Sequence, residues 1–258
     1  MPNAHIKLLV TVKAYPALSA KYGEVVCVAG IQLEPGQRRW VRLYPLKFRA
    51  LPFAARFKKY DIISVNVTPA SDGRPESYRP DPDTVRVLDH LSTRDNWAAR
   101  MEIIRPLVKR SLCEIKRLQA LDRTSLGIFK PASVSGFLMV ADQSDWDAQK
   151  RTALDQLNLL DTNHSELEKI PSTFRYRFRC EDQSCGGHDL SVIDWEVGAA
   201  YRSWRSRYAE HELKTKLRQK WLDEMCGPTK DTHFIVGNQH QHRQAFLVLG
   251  VVWPKLPD

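Results

Sequence analysis

Alternating apolar and polar positions dominate the first seventy residues. HIKLLVTVKAY (5–15) has strand composition and stops at Pro16. EVVCVAGIQL (24–33) is a second run, and Glu34-Pro35-Gly36-Gln37 supplies turn chemistry before RWVRLY (39–44). YDIISVNVT (60–68) places Ile63, Val65 and Val67 on one face, and Ile62, Ser64, Asn66 and Thr68 on the other. Four or five short strands in this space predict a small antiparallel barrel or a strongly curved sheet.

Residues 69–83 (PASDGRPESYRPDPD) carry four prolines and one glycine, and break the pattern. They predict a boundary between a basic β-rich domain, 1–83, and an α+β domain, 84–258. Beyond it the period lengthens. Met101, Ile104, Val108, Leu112, Ile115 and Leu118 recur at helical spacing, with Pro106 set to kink the helix or mark its first turn. FLMVA (137–141) reads as a short strand and 145–160 as a second helix. FRYRFRCEDQSCGGHDLSVIDWEV (174–197) reads as two strands around a tight turn. A long helix from about 199 to 225 then ends at Gly227-Pro228, and strands at 233–236 and 246–253 close the chain. The expected class is α+β: a small N-terminal antiparallel β-barrel or curved sheet, a helical middle, and C-terminal β-hairpins packed with a long helix.

The chain has 258 residues, 43% hydrophobic and 27% charged, enough to bury a sizeable core. No apolar run approaches the ~18 residues of a membrane-spanning helix. The start, MPNAHIKLL, lacks the charged, apolar and cleavage regions of a secretory leader. These features predict a soluble, cytoplasmic protein with no membrane partner. Five cysteines (27, 113, 180, 185 and 226), odd in number and unevenly spaced, argue against a disulfide framework.

Charge changes the picture more than composition does. The net charge is +9, and residues 1–60, with eleven Lys or Arg against Glu24 and Glu34, hold all of it. A basic excess this localised is the footprint of a polyanion partner. Between Glu34 and Asp61 eight basic residues interleave with six aromatics and no acid. Cations neutralise phosphates while aromatic faces stack bases. The expected nucleic-acid surface comprises Arg39, Trp40, Arg42, Tyr44, Lys47, Arg49, Lys58 and Lys59. Strand parity puts Trp40, Arg42 and Tyr44 on one face, opposite Val41 and Leu43. DNA and RNA stay open as partners.

Cys180-x4-Cys185-x2-His188 brings two thiols and an imidazole into one turn, with Gly186 and Gly187 relieving it. This is half of a zinc site, and the expected metal ligands are Cys180, Cys185 and His188. The candidates for a fourth ligand are Cys226, His240 and His242. In the preceding strand Phe174, Tyr176 and Phe178 alternate with Arg175, Arg177 and Arg179. Either Asp189 or Asp194 on the paired strand balances that row of guanidiniums, or the row contacts phosphate.

The competing reading is a metal-dependent enzyme acting on nucleic acid or nucleotides. Asp194 and Glu196, two apart on the expected strand, share a face with His188, and such a trio suits acid–base or metal chemistry. The lysine that a restriction-type nuclease would carry two residues beyond the second acid is replaced by Gly198. No GK[ST] phosphate loop, GxGxxG, HExxH or GxSxG occurs. A third reading is a plain interaction module with the hairpin as scaffold.

Overall fold

The structure, a computed structural model, describes residues 4–257 apart from 20, 35, 37, 144, 149 and 153–166. The N-terminal strands are β1 (Ala4–Lys13), β2 (Ala17–Ser19), β3 (Gly23–Gln32), β4 (Trp40–Leu46), β5 (Asp61–Pro69), β6 (Ser77–Pro80) and β7 (Arg86–His90). Five of them close a ring in the order β1-β3-β4-β6-β5, sealed by antiparallel pairing of β1 with β5. Most neighbours are antiparallel, while β4 and β6 run parallel. The expected small barrel is therefore present, and it includes one strand, β6, inside the proline-rich segment expected to be a boundary.

Its interior follows from strand parity. Ile6, Leu8 and Val10 of β1 meet Val26 and Val28 of β3, Val41 and Leu43 of β4, and Ile63, Val65 and Val67 of β5 in one buried cluster. The opposite face of the same strands is also apolar in part. Leu9, Val12, Ala29, Ile31 and Trp40 point out of the barrel and are covered. Strands apolar on both faces need a second layer, and the rest of the chain supplies it.

That layer is a sheet ordered β10-β11-β12-β14-β13-β9-β8. Its strands are β8 (Val108–Lys109), β9 (Leu126–Phe129), β10 (Ser133–Ala141), β11 (Ser172–Arg179), β12 (His188–Val192), β13 (His233–Asn238) and β14 (Phe246–Val252). One face gives Leu126, Ile128, Ile235 and Leu249 to the barrel. The other gives Phe137, Phe174, Tyr176, Phe178, Phe234 and Val236 to a cluster with the C-terminal helices. The unbroken apolar run FLVLGVV is thus a central strand buried on both sides.

The helices are shorter than periodicity predicts. The expected helix over 97–121 is two. Helix α1 (Arg94–Ile104) has its first turn left-handed at Asp95, Asn96 and Trp97 and ends before Pro106, which sits in a 3-10 turn. Helix α2 (Leu112–Asp122) begins at Ser111, whose Oγ accepts the Glu114 N–H at 3.0 Å. The expected long C-terminal helix is also divided. Helix α3 (Trp195–Trp204) is followed by a turn and α4 (Glu210–Arg218), which continues into a π-helical turn at Gln219–Glu224. The Glu212 carboxylate accepts the Ala209 N–H at 3.2 Å and starts α4 afresh. Most of the helix expected over 145–160 lies outside the described residues.

Candidate metal centre and nucleic-acid interface

Cys180 follows the last residue of β11, a tight loop carries Cys185, and Gly187 takes φ +95° to return the chain to His188 at the head of β12. The fourth corner comes from elsewhere. Cys113, in the first turn of α2, reaches the hairpin. Its Sγ lies 3.5 Å from His188 Nε2, and Cys185 Sγ lies 3.3 Å from the same nitrogen. The four donor atoms of Cys113, Cys180, Cys185 and His188 lie within 4.8 Å of one another, with Cys180 and Cys185 buried.

Tetrahedral ligands at about 2.0–2.3 Å from a metal stand roughly 3.6–3.8 Å apart, so the spacing needs little adjustment. Burial pushes the Cys180 thiol up to about 12. Burial pushes Cys185 the same way, but the Cys180 and Gly187 N–H groups donate to its sulfur and draw it below its ordinary value. Such N–H···S bonds are the usual outer support of a thiolate ligand. Around the loop, Asp182 accepts from Ser184 and pairs with Arg117 of α2 at 2.7 Å, tying helix to hairpin. The three thiols and one imidazole fit a metal ion and could hold one.

The expected fourth ligands are elsewhere. Cys226 donates to the Trp221 carbonyl at 3.4 Å and packs against the helical core. His240 lines a cleft on the barrel side of the sheet, and His242 is exposed at the β13–β14 turn. Cys113 carried little signal, because it sits among the apolar positions of α2 and is far from the hairpin in the chain. All five cysteines are free thiols.

The trio His188, Asp194 and Glu196 is not brought together. His188 belongs to the thiol cluster. The strand stops at Val192, so Asp194 and Glu196 lie in the first turn of α3 instead of on one strand face. Asp194 is the N-cap, its Oδ1 accepting the Glu196 N–H at 3.2 Å. Both acids turn to Lys59 of the barrel, whose Nζ is 3.0 Å from Asp194 Oδ2 and 3.1 Å from Glu196 Oε2. Burial alone would lower Lys59, but the two carboxylates outweigh it and hold the ammonium charged. The arginine row on β11 meets the partner expected of it, with Asp189 accepting from Arg175 at 2.6 Å and Arg177 at 3.1 Å.

The eight residues expected to face nucleic acid divide by burial. Arg39, Lys47 and Lys58 are exposed, while Tyr44 and Arg49 are half-buried. Arg49 pairs with Glu24 at 2.9 Å. Trp40, Arg42 and Lys59 are 8%, 4% and 8% exposed, which removes them from any open surface. Trp40, Arg42 and Tyr44 do share the outer face of β4, as parity requires, but the second sheet covers that face at Trp40 and Arg42. Trp40 packs in the layer between barrel and sheet. Arg42 crosses to the second sheet and donates to Ser125 O at 2.9 Å and Ser125 Oγ at 3.1 Å. Elsewhere on the barrel Lys7, Lys21, Arg38 and Arg56 are exposed, so seven of the eleven cations in residues 1–60 reach solvent. Lys13, by contrast, is buried against the rings of Phe48 and Trp195, 4.2 Å from each centroid.

No helix among the described residues is long and apolar enough to cross a membrane. No curated protein matches the chain. Solved structures resemble it loosely. One is a replication protein A heterotrimer bound to single-stranded DNA, with 9% identity and a TM-score of 0.34, over 92% of this chain and 45% of that one. This chain therefore spans less than half of that relative's length. Another is a murine DNA-binding protein bound with double-stranded DNA, with 10% identity and a TM-score of 0.32, over 100% of this chain and 98% of that one. A third is a HINa domain in complex with 20-bp double-stranded DNA, with 9% identity and a TM-score of 0.34, over 98% and 97%. Likeness at this level carries no argument about function. Family resemblance is firmer and divides near the start of β8. Residues 4–106 match the family described as Domain of unknown function (DUF8758). Residues 108–258, which hold all four donors of the thiol–imidazole cluster, match a second family, and by that match the chain belongs to Domain of unknown function (DUF8757).

Proposed function

We propose that this protein binds nucleic acid through the basic face of its barrel, with a structural zinc at Cys113, Cys180, Cys185 and His188. The observation that carries the first part is the fate of the positive charge. The excess is confined to residues 1–60, and most of those cations, Lys7, Lys21, Arg38, Arg39, Lys47, Arg56 and Lys58, are exposed on one small barrel. A dense positive surface releases counterions from a phosphate backbone and binds with a steep dependence on salt.

The zinc reading rests on the donor set. Three thiols and one imidazole favour zinc over hard cations, and four protein ligands leave no open position for catalysis. Zinc there would cross-link α2 to the β11–β12 hairpin. The chain's own contribution is to present the four donors at one point, with Cys180 and Cys185 buried and supported by backbone N–H groups.

The test is fluorescence anisotropy of labelled single- and double-stranded DNA and RNA against the full chain at several salt concentrations. The expected result is affinity that falls steeply with salt, with one of the four substrates preferred. Weak binding to all four at low salt would overturn the nucleic-acid reading. Metal content of protein purified without added metal tests the second part, with one zinc per chain expected.

A further inference from the structure

Between the barrel and the turn of the last hairpin lies a cleft of about 750 Å3, a volume typical of small-molecule sites. The barrel contributes Lys21, Tyr22, Arg42 and Tyr44, and the β5–β6 segment contributes Arg74 and Arg79. Residues Gly237 to Gln241 form the far wall. Lys21 and Arg79 are exposed at the mouth, while Arg42 and Arg74 are buried in the walls. Of these four cations, Arg74 pairs with Asp72. Arg42 takes part in none of the ion pairs among the described residues.

Two wall residues carry unmet hydrogen-bonding capacity. Arg42, 4% exposed, uses its terminal nitrogens on Ser125 and on Cys27 Sγ at 3.6 Å, and its Nε has no partner. Asn238, 3% exposed, donates Nδ2 to the Arg243 carbonyl at 2.9 Å, and its Oδ1 has none. Native interiors rarely leave such groups alone, and a functional role or a bound ion is among the recognised reasons for the exceptions. Gly237 is part of the same construction. A Cβ there would lie 2.7 Å from Leu249 Cδ1 and 3.2 Å from Arg42 NH2, so glycine lets the guanidinium pass. The aromatic element is Tyr22 against Tyr44, ring centroids 6.1 Å apart and nearly perpendicular.

We propose that this cleft binds a nucleoside monophosphate group, either as a free nucleotide or as a nucleotide extruded from a strand. The extruded form deepens the nucleic-acid reading above and rests on it. The chemistry matches part by part. A phosphate monoester carries up to two negative charges, which suits Lys21 and Arg79, exposed at the mouth. A base offers a flat face to the tyrosine pair. Its edge carries donors and acceptors of the kind that Asn238 Oδ1 and Arg42 Nε lack. Inorganic phosphate alone would leave the tyrosines and most of the volume unused.

The experiment is isothermal titration of the full chain with the four 5′-mononucleotides, their nucleosides and inorganic phosphate. It runs beside anisotropy of a labelled strand, a matched duplex and a duplex with one mismatched pair. At least one mononucleotide binds, and its nucleoside and phosphate alone bind at least about tenfold more weakly. Tyr44→Ala and Arg79→Gln, near the mouth where the fold is least at risk, each weaken it by about tenfold, with unchanged circular dichroism. If the nucleotide displaces the strand and the mismatched duplex outbinds the matched one, the extruded form holds. Nucleotide binding without displacement supports the free form. Salt-dependent strand binding with no nucleotide bound, and strand affinity unchanged in both variants, overturns the cleft proposal while the barrel surface stands. No binding of strand or nucleotide overturns both.

Discussion

Lys59 and Asp194 stand 135 positions apart in the chain and meet as a buried ion pair, Nζ to Oδ2 3.0 Å, with side chains 6% and 3% exposed. The pair joins the segment before β5 to the N-cap of α3 and so fastens barrel to sheet. Removing one member leaves the other charge desolvated. Lys59→Met is expected to cost about 3–5 kcal/mol, since buried Asp194 then loses its paired ammonium beside Glu196. The double variant Lys59→Met/Asp194→Asn recovers part of that, because the amide Oδ1 can still cap the Glu196 N–H. Urea denaturation of the two variants beside the parent reads the difference. Equal losses in single and double variants would argue against a coupled pair.

Lys13 behaves in the opposite sense. Burial lowers it from 10.5 to about 8, against the attraction of Glu196 and Asp61. Between those values the unfolded chain holds a proton that the folded chain has released, so this lysine's contribution to stability rises with pH. Below about 8 both states are charged and the fold carries the whole desolvation cost. Lys13→Met is therefore expected to stabilise the protein at pH 7 by about 1–3 kcal/mol, with the advantage shrinking between pH 8 and 10.5. Urea midpoints of parent and variant across that range test the sign. A gap that does not change with pH would place the effect in packing.

The thiol cluster makes a prediction that depends on its fourth corner. Cys113→Ser and Cys185→Ser are each expected to lose the metal and lower the melting temperature, whereas Cys226→Ser retains one equivalent. Native mass spectrometry and a thermal melt with and without chelator measure both. Chelation should destabilise the parent and leave Cys113→Ser unmoved, because a structural metal stabilises only what it binds. Metal retained in Cys113→Ser would return the search to Cys226 and the terminal histidines.

For the barrel surface, Arg39→Ala, Lys47→Ala and Lys58→Ala combined should weaken nucleic-acid binding and flatten its log–log salt slope by about 2–3, since each phosphate contact contributes roughly 0.7–0.9. Stability should change little, because all three are exposed. An unchanged slope would mean that these cations touch no phosphate.

What the sequence made legible was local. Parity of apolar residues located four of the five barrel strands to within a residue or two, missing β6, and it placed Trp40, Arg42 and Tyr44 on one face correctly. It did not show that this face is covered, because the cover is a sheet built from residues beyond 108. The same limit hid Cys113, which becomes a ligand only when α2 lies against the hairpin. Asp194 and Glu196 were misplaced on a strand because SVIDWE continues the apolar alternation of β12. The change to helix is made by Asp194 acting as an N-cap, a role that its type permits and its neighbours do not announce.

The covered face of β4 has a consequence for how the chain can be divided. A fragment ending near residue 106 would leave Leu9, Val12, Ile31 and Trp40 bare to water, and one starting near 108 would do the same to Leu126, Ile128, Ile235 and Leu249. Each half would shed a partner that it needs to stay dissolved. The two family segments are therefore co-dependent. A substitution at Arg42 or Ser125, or at Lys59 or Asp194, reaches across the boundary between the two family segments and leaves its partner in the other one unpaired.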